Sequence, residues 1–206
     1  MLKKSPILIA SLWMIGALFS FMMLAVGGRE LAGKISTFQI LFFRSFIGII
    51  ILALLVWRIG WKQIKTEKLS LHLWRNIAHY GGQYGWFYGL GFIPLAEVFA
   101  IEFTLPIWVA LLASFMRGER LSQARIWAIV LGFIGLLIIL RPGAEAVHPA
   151  ALIVLAAAFG FALSVVLTKK ITRTDSALSV VFYMTLMQLP MGLLPSLANW
   201  VTPTGI

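Results

Sequence analysis

Two charged residues of opposite sign lie deep inside apolar segments of the chain, Arg44 in the run 37–57 and Glu102 in the run 95–115. An ionised group at the centre of a bilayer costs about 2.5–3.5 kcal/mol on insertion scales, so such a residue usually has a function or a partner. At 1.5 Å of rise per residue, both lie roughly 10–12 Å below the same face of a helix bundle. We predict that they interact, either as a substrate-facing or proton-linked charge pair or as a structural ion pair between helices; the alternative is that they make no contact.

Three further residues near this pair have side chains suited to gating or proton transfer. Pro106 follows Glu102 by four residues and has no N–H for the Glu102 carbonyl, so it predicts a kink, a feature that marks many transporter sites but also serves packing. Glu97 lies just inside the predicted boundary and is either a gate acid or a hydrated interfacial residue. His79 is a candidate proton-relay group, as is Glu102, although a hydrogen bond to a neighbouring carbonyl explains a buried histidine equally well.

The segment 73–93 contains the sequence HYGGQYGWFYGLG, in which small and polar residues are interleaved. Gly81, Gly85 and Gly89 recur every four residues and predict a smooth stripe that permits close approach of another helix. Other side chains lie off this stripe or on neighbouring segments and offer amide, aromatic and hydroxyl groups. Those predicted to line a substrate cavity are Gln83, Tyr84, Tyr88, Trp13, Ser20 and Ser164.

Seven apolar stretches fill almost the whole 206-residue chain, which is 61% hydrophobic and 12% charged. A helix that spans a bilayer needs about 20 apolar residues, and most of these stretches reach that length. A β-barrel is excluded because its strands would alternate between polar and apolar residues. We therefore predict an all-α polytopic transmembrane helix bundle. Its helices are expected at 7–27, 37–57, 73–93, 95–115, 126–141, 150–168 and 177–199.

The basic residues are distributed unequally between the two sides of this bundle. Thirteen of the 17 lysines and arginines fall on the side of the N-terminus, three fall on the other side, and Arg44 lies inside a helix. Positively charged loops stay in the cytoplasm, so the N-terminus is predicted to be cytoplasmic in a multi-pass protein of the inner or plasma membrane. This orientation weighs against heptahelical receptors and rhodopsins, which place the N-terminus outside.

Several classes of function are disfavoured by what the sequence lacks. It has no cysteine, three histidines, and no GxSxG or HExxH motif, so we expect neither an enzyme nor a metal or cofactor site. The net charge of +10 is explained by basic residues placed on one side of the membrane, so nucleic-acid binding is not expected. The expected partners are a small-molecule substrate and the lipid bilayer, and a homodimer is compatible with these patterns.

Two apolar segments resemble each other and lie far apart in the chain. The segment from Pro6 reads PILIASLWMIGALFSFMML and the segment from Pro149 reads PAALIVLAAAFGFALSVVL, and each places a glycine four residues before a serine. Five predicted helices separate the two starts, so the second copy enters the membrane from the opposite side. Inverted repeats of this kind build many secondary transporters, with the substrate at the repeat interface, although two apolar helices can also be alike by chance.

The repeat divides the chain into a first unit, 1–143, and the start of a second, inverted unit, 149–206. Two complete copies of the first unit would need about 290 residues and ten helices, of which about seven are present here. We therefore expect this sequence to be truncated after its seventh helix.

The stretch 91–143, GFIPLAEVFAIEFTLPIWVALLASFMRGERLSQARIWAIVLGFIGLLIILRPG, resembles the end of the first repeat in EamA-type members of the drug/metabolite transporter superfamily. The shared features are a Pro-Leu-Ala turn, a Thr-Leu-Pro kink, a Gly-Glu-Arg loop and a closing Arg-Pro-Gly, and Arg44 also matches the family pattern. This resemblance implies a carrier with five plus five helices, both termini cytoplasmic, that exports amino acids, other metabolites or drugs by alternating access. The alternatives are a truncated, non-transporting membrane protein and an intramembrane enzyme acting on lipid.

Overall fold

The structure is a computed structural model that describes residues 6–117, 121–140 and 148–202, with the side chains of Pro6, Arg117 and Leu140 left aside. The described residues are 85% helical and contain no β-strand. The helices are α1 (Pro6–Leu31), α2 (Thr37–Ile59), α3 (Leu69–Leu90), α4 (Leu95–Glu102), α5 (Leu105–Arg117), α6 (Gln123–Leu140), α7 (Pro149–Ile171) and α8 (Ala177–Ser196). Two short 3-10 helices are Trp61–Ile64 and Leu197–Asn199.

Five helical segments of the described chain are long and apolar enough to cross a membrane, and α6 is a shorter apolar helix. The long segments are Ile7–Leu31, Thr37–Ile59, Leu95–Met116, Pro149–Ile171 and Ala177–Asn199. The prediction of an all-α polytopic bundle is therefore confirmed. Helix α3 is equally long but more polar, because it carries the histidines, asparagine and glutamine of the site described below.

The predicted span over 95–115 corresponds to the apolar segment Leu95–Met116, which the structure divides into α4 and α5 at Phe103 and Thr104. Pro106 is the second residue of α5 and cannot donate to the Glu102 carbonyl, so the helix is interrupted at the predicted kink. At the break, the Thr104 hydroxyl donates a hydrogen bond of 2.6 Å to the Ile101 carbonyl. The interruption leaves Glu102 at the very end of α4.

The centre of the bundle is the interface between α3 and α7, where glycines face alanine and valine. A Cβ at Gly85 would lie 3.0 Å from the Ala157 Cβ and 3.0 Å from the Ile153 carbonyl, so only glycine permits this approach. The predicted stripe is partly wrong, because Gly81 faces open space and Gly82 packs against α7 in its place. The α-helical period explains the difference, since positions three and four residues apart share one face.

Helices α2 and α8 form the second tight pair of the bundle. A Cβ at Gly192 would lie 2.8 Å from the Phe42 backbone nitrogen, so the two helices touch through their main chains. At the end of this pair the buried Gln39 amide bonds twice to the main chain of Val201, donating to its carbonyl at 2.8 Å and accepting from its N–H at 3.2 Å. In contrast, α1 lies at the edge of the bundle, where Phe21, Ala25 and Gly28 face the core and most other side chains are exposed.

The close approach of α3 and α7 makes Gly160→Ala a strong test of this packing. The new Cβ would lie 2.9 Å from the Ala78 carbonyl, a backbone atom that cannot move aside alone, so we expect a loss of about 1–3 kcal/mol in stability. The control is Gly81→Ala, which meets nothing within 4 Å and should be neutral or slightly stabilising. Thermal unfolding of the complete protein in detergent measures both variants, and equal midpoints would contradict the described interface.

Candidate functional site

Four polar side chains from three helices meet inside the bundle, and we call them the polar centre: Arg44 of α2, His79 and Gln83 of α3, and Gln188 of α8. The Gln83 amide is oriented with its oxygen toward Arg44, because the opposite orientation would point the amide nitrogen, a donor, at the donor groups of Arg44. In this orientation the Gln83 oxygen accepts hydrogen bonds from both terminal nitrogens of the Arg44 guanidinium, and its nitrogen donates to the Gln188 Oε1 at 2.9 Å. The Gln188 Nε2 in turn lies 3.1 Å from the His79 Nδ1.

The polar centre continues along α3 through Asn76, which is fully buried. Its Oδ1 lies 3.4 Å from the Gln188 Nε2, and its Nδ2 donates to the His72 carbonyl at 2.9 Å. Arg75 donates to the same Oδ1 at 3.1 Å and to the Thr168 hydroxyl at 3.2 Å. Residues 72, 76, 79 and 83 follow the helical spacing of three or four, so they form one polar face of α3 directed at α8.

At its other end this face reaches Asp175 in the loop between α7 and α8. The His72 Nε2 lies 2.9 Å from the Asp175 Oδ2, and the exposed fractions of the two side chains are 0% and 4%. Burial raises the pKa of the Asp175 carboxyl, but hydrogen bonds from Thr66, His72 and Thr174 outweigh it and lower that pKa to about 2. A continuous series of buried polar groups therefore connects this loop with Arg44.

The lowered pKa of Asp175, the one aspartate in the chain, predicts a dependence of stability on pH. Its pKa is lower in the folded protein than in the unfolded chain, so its contribution is complete above about pH 4 and is lost as the pH falls toward 2. Asp175→Asn should therefore melt with a flatter pH dependence in this range, and at pH 7 it should lose roughly 1–3 kcal/mol by weakening the partner of the buried His72. Glu67→Gln, at an exposed position, is the control, and identical pH profiles for the two variants would contradict this role.

The predicted contact between Arg44 and Glu102 is wrong. Within the part of the chain that the structure describes, His72–Asp175 is the one pair of opposite charges closer than 4.0 Å. The Glu102 Oε2 instead accepts a hydrogen bond of 2.7 Å from the Trp86 indole N–H. Both charged residues approach α3, but Arg44 meets Gln83 and Glu102 meets Trp86, so similar depth did not bring them together.

A groove of about 610 Å³ opens beside the polar centre, between α3 and α8. Its walls are almost entirely apolar and include Phe38, Tyr80, Met187 and Met191. The buried Tyr80 hydroxyl has no hydrogen-bond partner among the described residues. None of the four polar-centre residues lines the groove, which reaches the polar face of α3 at Met187, whose sulfur accepts a hydrogen bond of 3.3 Å from Asn76.

The two predicted cavity tyrosines belong to an aromatic row at the opposite end of α3. Tyr84 packs on Phe38 with ring centroids 4.6 Å apart and on Tyr88 at 6.3 Å, and Tyr88 stacks on Phe92 at 4.5 Å. Phe38 is shared between this row and the groove. Tyr84 and Tyr88 thus lie beyond the polar centre, and their contact with substrate stays a prediction.

The remaining predicted residues lie apart from the polar centre. Trp13 is 77% exposed on α1, and the exposed Ser20 donates to the carbonyl one turn earlier at 2.9 Å. Ser164 is buried at 2% exposure, and Glu97 is half-buried in the first turn of α4. The structure assigns these four residues no common site, and their roles stay predictions.

Sequence reasoning overlooked Gln188, Asn76 and the His72–Asp175 pair. Gln188 is an amide in the middle of an apolar helix, and this position alone marks it as a functional candidate. Asn76 and His72 lie at helical spacing from His79, which was also visible in the sequence. Among the described residues no three histidine or acidic side chains form a group suited to a metal ion.

Comparison with known proteins agrees with this architecture. The EamA-like transporter family matches residues 8–141, which is more than half of the chain. The chain therefore belongs to the EamA-like transporter family, a family of multi-pass membrane transporters and not of enzymes.

Three relatives illustrate the range of this similarity. The chain is 31% identical to the S-adenosylmethionine uptake transporter of Rickettsia bellii over 93% of its own length and 66% of that protein. It is 30% identical to the riboflavin transporter of Vibrio cholerae over 70% of its length and 49% of that protein. It is 27% identical to the pseudopaline exporter of Pseudomonas aeruginosa over 88% of its length and 63% of that protein. The chain thus spans less than two thirds of each of these relatives, and no solved structure matches it closely enough for comparison.

Proposed function

We propose that this chain carries the substrate site of a secondary transporter that exports a small, carboxylate-bearing metabolite such as an amino acid or a similar drug. The observation that carries this proposal is the Arg44 guanidinium, which lies inside a membrane-spanning helix without a carboxylate within 4.0 Å among the described residues. An arginine keeps its charge in proteins. The Gln83 oxygen satisfies two of its donors but leaves that charge unneutralised.

A substrate carboxylate supplies the missing negative charge. An unneutralised cation in a medium of low dielectric constant is strongly unfavourable, and an arginine binds a carboxylate through two parallel hydrogen bonds. Gln188 is itself fixed by Gln83 and His79, so its amide helps to hold the centre in one arrangement. The polar centre is therefore suited to bind an anionic group of a substrate that has lost its hydration water.

We propose that the groove, which reaches the polar face of α3 at Met187, holds the rest of such a molecule. Its volume of about 610 Å³ lies within the range of roughly 300–1,000 Å³ usual for small-molecule sites. Met187 and Met191 provide flexible apolar contacts that adapt to different side chains. These features favour an amphipathic substrate with an apolar part of moderate size.

Alternating access is the proposed mechanism, and the interruption between α4 and α5 is its proposed hinge. The break places Glu102 at a helix end, where Trp86 holds its carboxylate. We propose that Glu102 exchanges a proton during transport and that Glu97, at the start of α4, is a gate acid. The relatives include both an uptake transporter and an exporter, so export is proposed here from the family resemblance of 91–143.

The inverted repeat is proposed to relate α1 to α7 and α2 to α8. Support comes from α2 and α8, which pack face to face, as helices related by a two-fold axis at a repeat interface do. The units 1–143 and 149–206 would then have opposite orientations in the membrane. The polar centre draws on both units, with Arg44 and Gln83 from the first and Gln188 from the second.

The proposed orientation places the loop between α7 and α8 in the cytoplasm and the loop between α1 and α2 outside. Thr172 and Lys34 are exposed in these loops, and the chain has no cysteine of its own. In intact cells, Lys34→Cys should react with an impermeant maleimide, whereas Thr172→Cys should react only after the membrane is permeabilised. The reverse pattern of labelling would reject this orientation.

The proposed function is tested by reconstituting the complete protein in liposomes and measuring counterflow of a panel of labelled amino acids and drugs. We expect uptake of at least one carboxylate-bearing compound above the level of empty liposomes. Uptake restricted to compounds without a carboxylate would overturn the proposed substrate class.

A further inference from the structure

A second cavity, of about 850 Å³, lies at the basic end of the bundle, between the start of α3, the start of α6, α5 and the end of α7. We call it the basic cleft. Among the described residues that line it, five are cations and none is acidic; the cations are Lys68, Arg125, Lys169, Lys170 and Arg173. Every other residue of the lining is apolar, including Leu105, Val109, Ala113 and Val165.

The helix dipole explains the positions of two of these cations but not those of two others. Lys169 and Lys170 lie in the last turn of α7, where a positive charge is favoured by the helix dipole. In contrast, Lys68 is the N-cap of α3 and Arg125 lies in the first turn of α6, where the dipole disfavours a cation. None of the five forms an ion pair within 4.0 Å among the described residues.

The start of α3 adds hydrogen-bond donors to the mouth, whereas at the start of α6 the Arg125 N–H donates to the Ser122 hydroxyl at 3.4 Å. The α3 N-cap makes no side-chain capping bond, so backbone N–H groups of the first turn are available to an external acceptor. Helix N-termini favour anions for this reason, and phosphate is a frequent ligand there. One uncapped N-terminus and five cations at one cavity therefore favour a negatively charged, phosphate-like group.

The depth of the basic cleft matches one leaflet of a bilayer. Its lining follows α5 from Met116 at the mouth to Leu105 and Pro106 at the interruption. These eleven steps along the helix span about 16 Å, roughly half the thickness of the hydrocarbon core. The apolar wall therefore has the length of an acyl chain, and the basic mouth lies at the level of the lipid headgroups.

We propose that the basic cleft binds one anionic phospholipid from the leaflet at the basic end of the bundle. The phosphate lies among the five cations, and an acyl chain lies along α5 and α7 toward Pro106. A basic mouth explains the preference for anionic headgroups, and an apolar floor explains why a lipid is favoured over a free anion. This site is separate from the polar centre and does not depend on the transported substrate.

The test uses the complete protein in mild detergent, with thermal unfolding followed while lipid is added. Phosphatidylglycerol is the anionic probe, phosphatidylcholine is the neutral lipid, and inorganic phosphate is the free anion. We expect phosphatidylglycerol to raise the melting temperature of the wild type and the other two probes to leave it unchanged. A triple variant, Lys68→Gln, Lys169→Gln and Arg173→Gln, should need at least tenfold more phosphatidylglycerol for the same shift.

The matched control is the triple variant Arg58→Gln, Lys62→Gln and Lys65→Gln, which removes the same charge from exposed positions at the same end of the bundle. It should respond like the wild type. Equal losses in both triple variants, an equal effect of phosphatidylcholine, or an equal effect of inorganic phosphate would each overturn the lipid site. If the cleft variant does not fold, the test uses Ala113→Phe, which narrows the apolar floor and leaves all five cations in place. A smaller increase in melting temperature with phosphatidylglycerol supports the proposal. An unchanged increase overturns it.

Discussion

Arg44→Gln is expected to lower transport of a carboxylate-bearing substrate by roughly 10- to 100-fold, because it removes a charge-assisted pair of hydrogen bonds worth about 1.5–3 kcal/mol. The glutamine still bonds to an amide such as Gln83, so the polar centre stays hydrogen-bonded. The melting temperature should not fall, since the variant removes an unneutralised cation from the membrane-spanning part of the chain. Counterflow in liposomes measures the first effect, and thermal unfolding in detergent measures the second.

Arg44→Lys is the matched variant for this prediction. Lysine keeps the positive charge but loses the planar fork, so its transport should lie between that of the wild type and that of Arg44→Gln. Wild-type transport by Arg44→Gln would exclude a role in substrate binding. A large fall in stability with both variants would instead assign Arg44 a structural role.

Glu102→Gln is expected to abolish the dependence of transport on a pH gradient. The amide oxygen still accepts the hydrogen bond that Trp86 donates at 2.7 Å in the wild type, so the local structure is retained while the exchangeable proton is lost. Stability should change by less than about 0.5 kcal/mol. Uptake at equal and at unequal pH across the liposome membrane separates the loss of coupling from a loss of transport.

Glu97→Gln provides the comparison, since Glu97 lies on the same short helix and near its other end. As a proposed gate acid, its variant should change the rate of transport at both pH conditions and retain the pH dependence. Wild-type pH dependence in Glu102→Gln would assign Glu102 a structural role as the acceptor for Trp86. Loss of pH dependence in Glu97→Gln alone would move the proton-linked role to Glu97.

The helices of this chain were largely predictable because bilayer thickness imposes one length on every span. The predicted start at 37 for α2 and the predicted start at 177 for α8 agree with the structure. The break at Phe103 and Thr104 was indicated by Pro106, but its extent was not, because proline also bends helices without interrupting them. The bounds of α1 and α3 differ from the predicted 7–27 and 73–93, because α1 continues through the charged residues Arg29 and Glu30 to Leu31 and α3 already begins at Leu69.

The partners of the buried charged residues were not predictable from depth. Position along a helix gives the level of Arg44 and Glu102 in the membrane, but the direction in which each side chain points depends on how α2 and α4 rotate against α3. The structure turns Arg44 to Gln83 and Glu102 to Trp86. The Gly81 position was misassigned for the same reason, because one residue of rotation exchanges it with Gly82.

Gln188 belongs to the part of the polar centre that could have been recognised from the sequence. A lone amide among apolar residues of α8 is as costly to bury as the other polar groups, and it becomes the link between Gln83 and His79. Ser20, by contrast, follows the same sequence pattern as Ser164 but is exposed where Ser164 is buried. Sequence similarity between the two segments thus did not predict equal surroundings.

The central claim, that the polar centre binds a substrate carboxylate at Arg44, is tested most directly by ligand-induced thermal stabilisation of the complete protein. Each transported amino acid is compared with its carboxamide, which keeps the side chain and the amine but has no negative charge. We predict that the amino acid raises the melting temperature of the wild type, that the carboxamide does not, and that Arg44→Gln removes this difference. Equal stabilisation by both compounds, or an undiminished difference in Arg44→Gln, would contradict the proposed site.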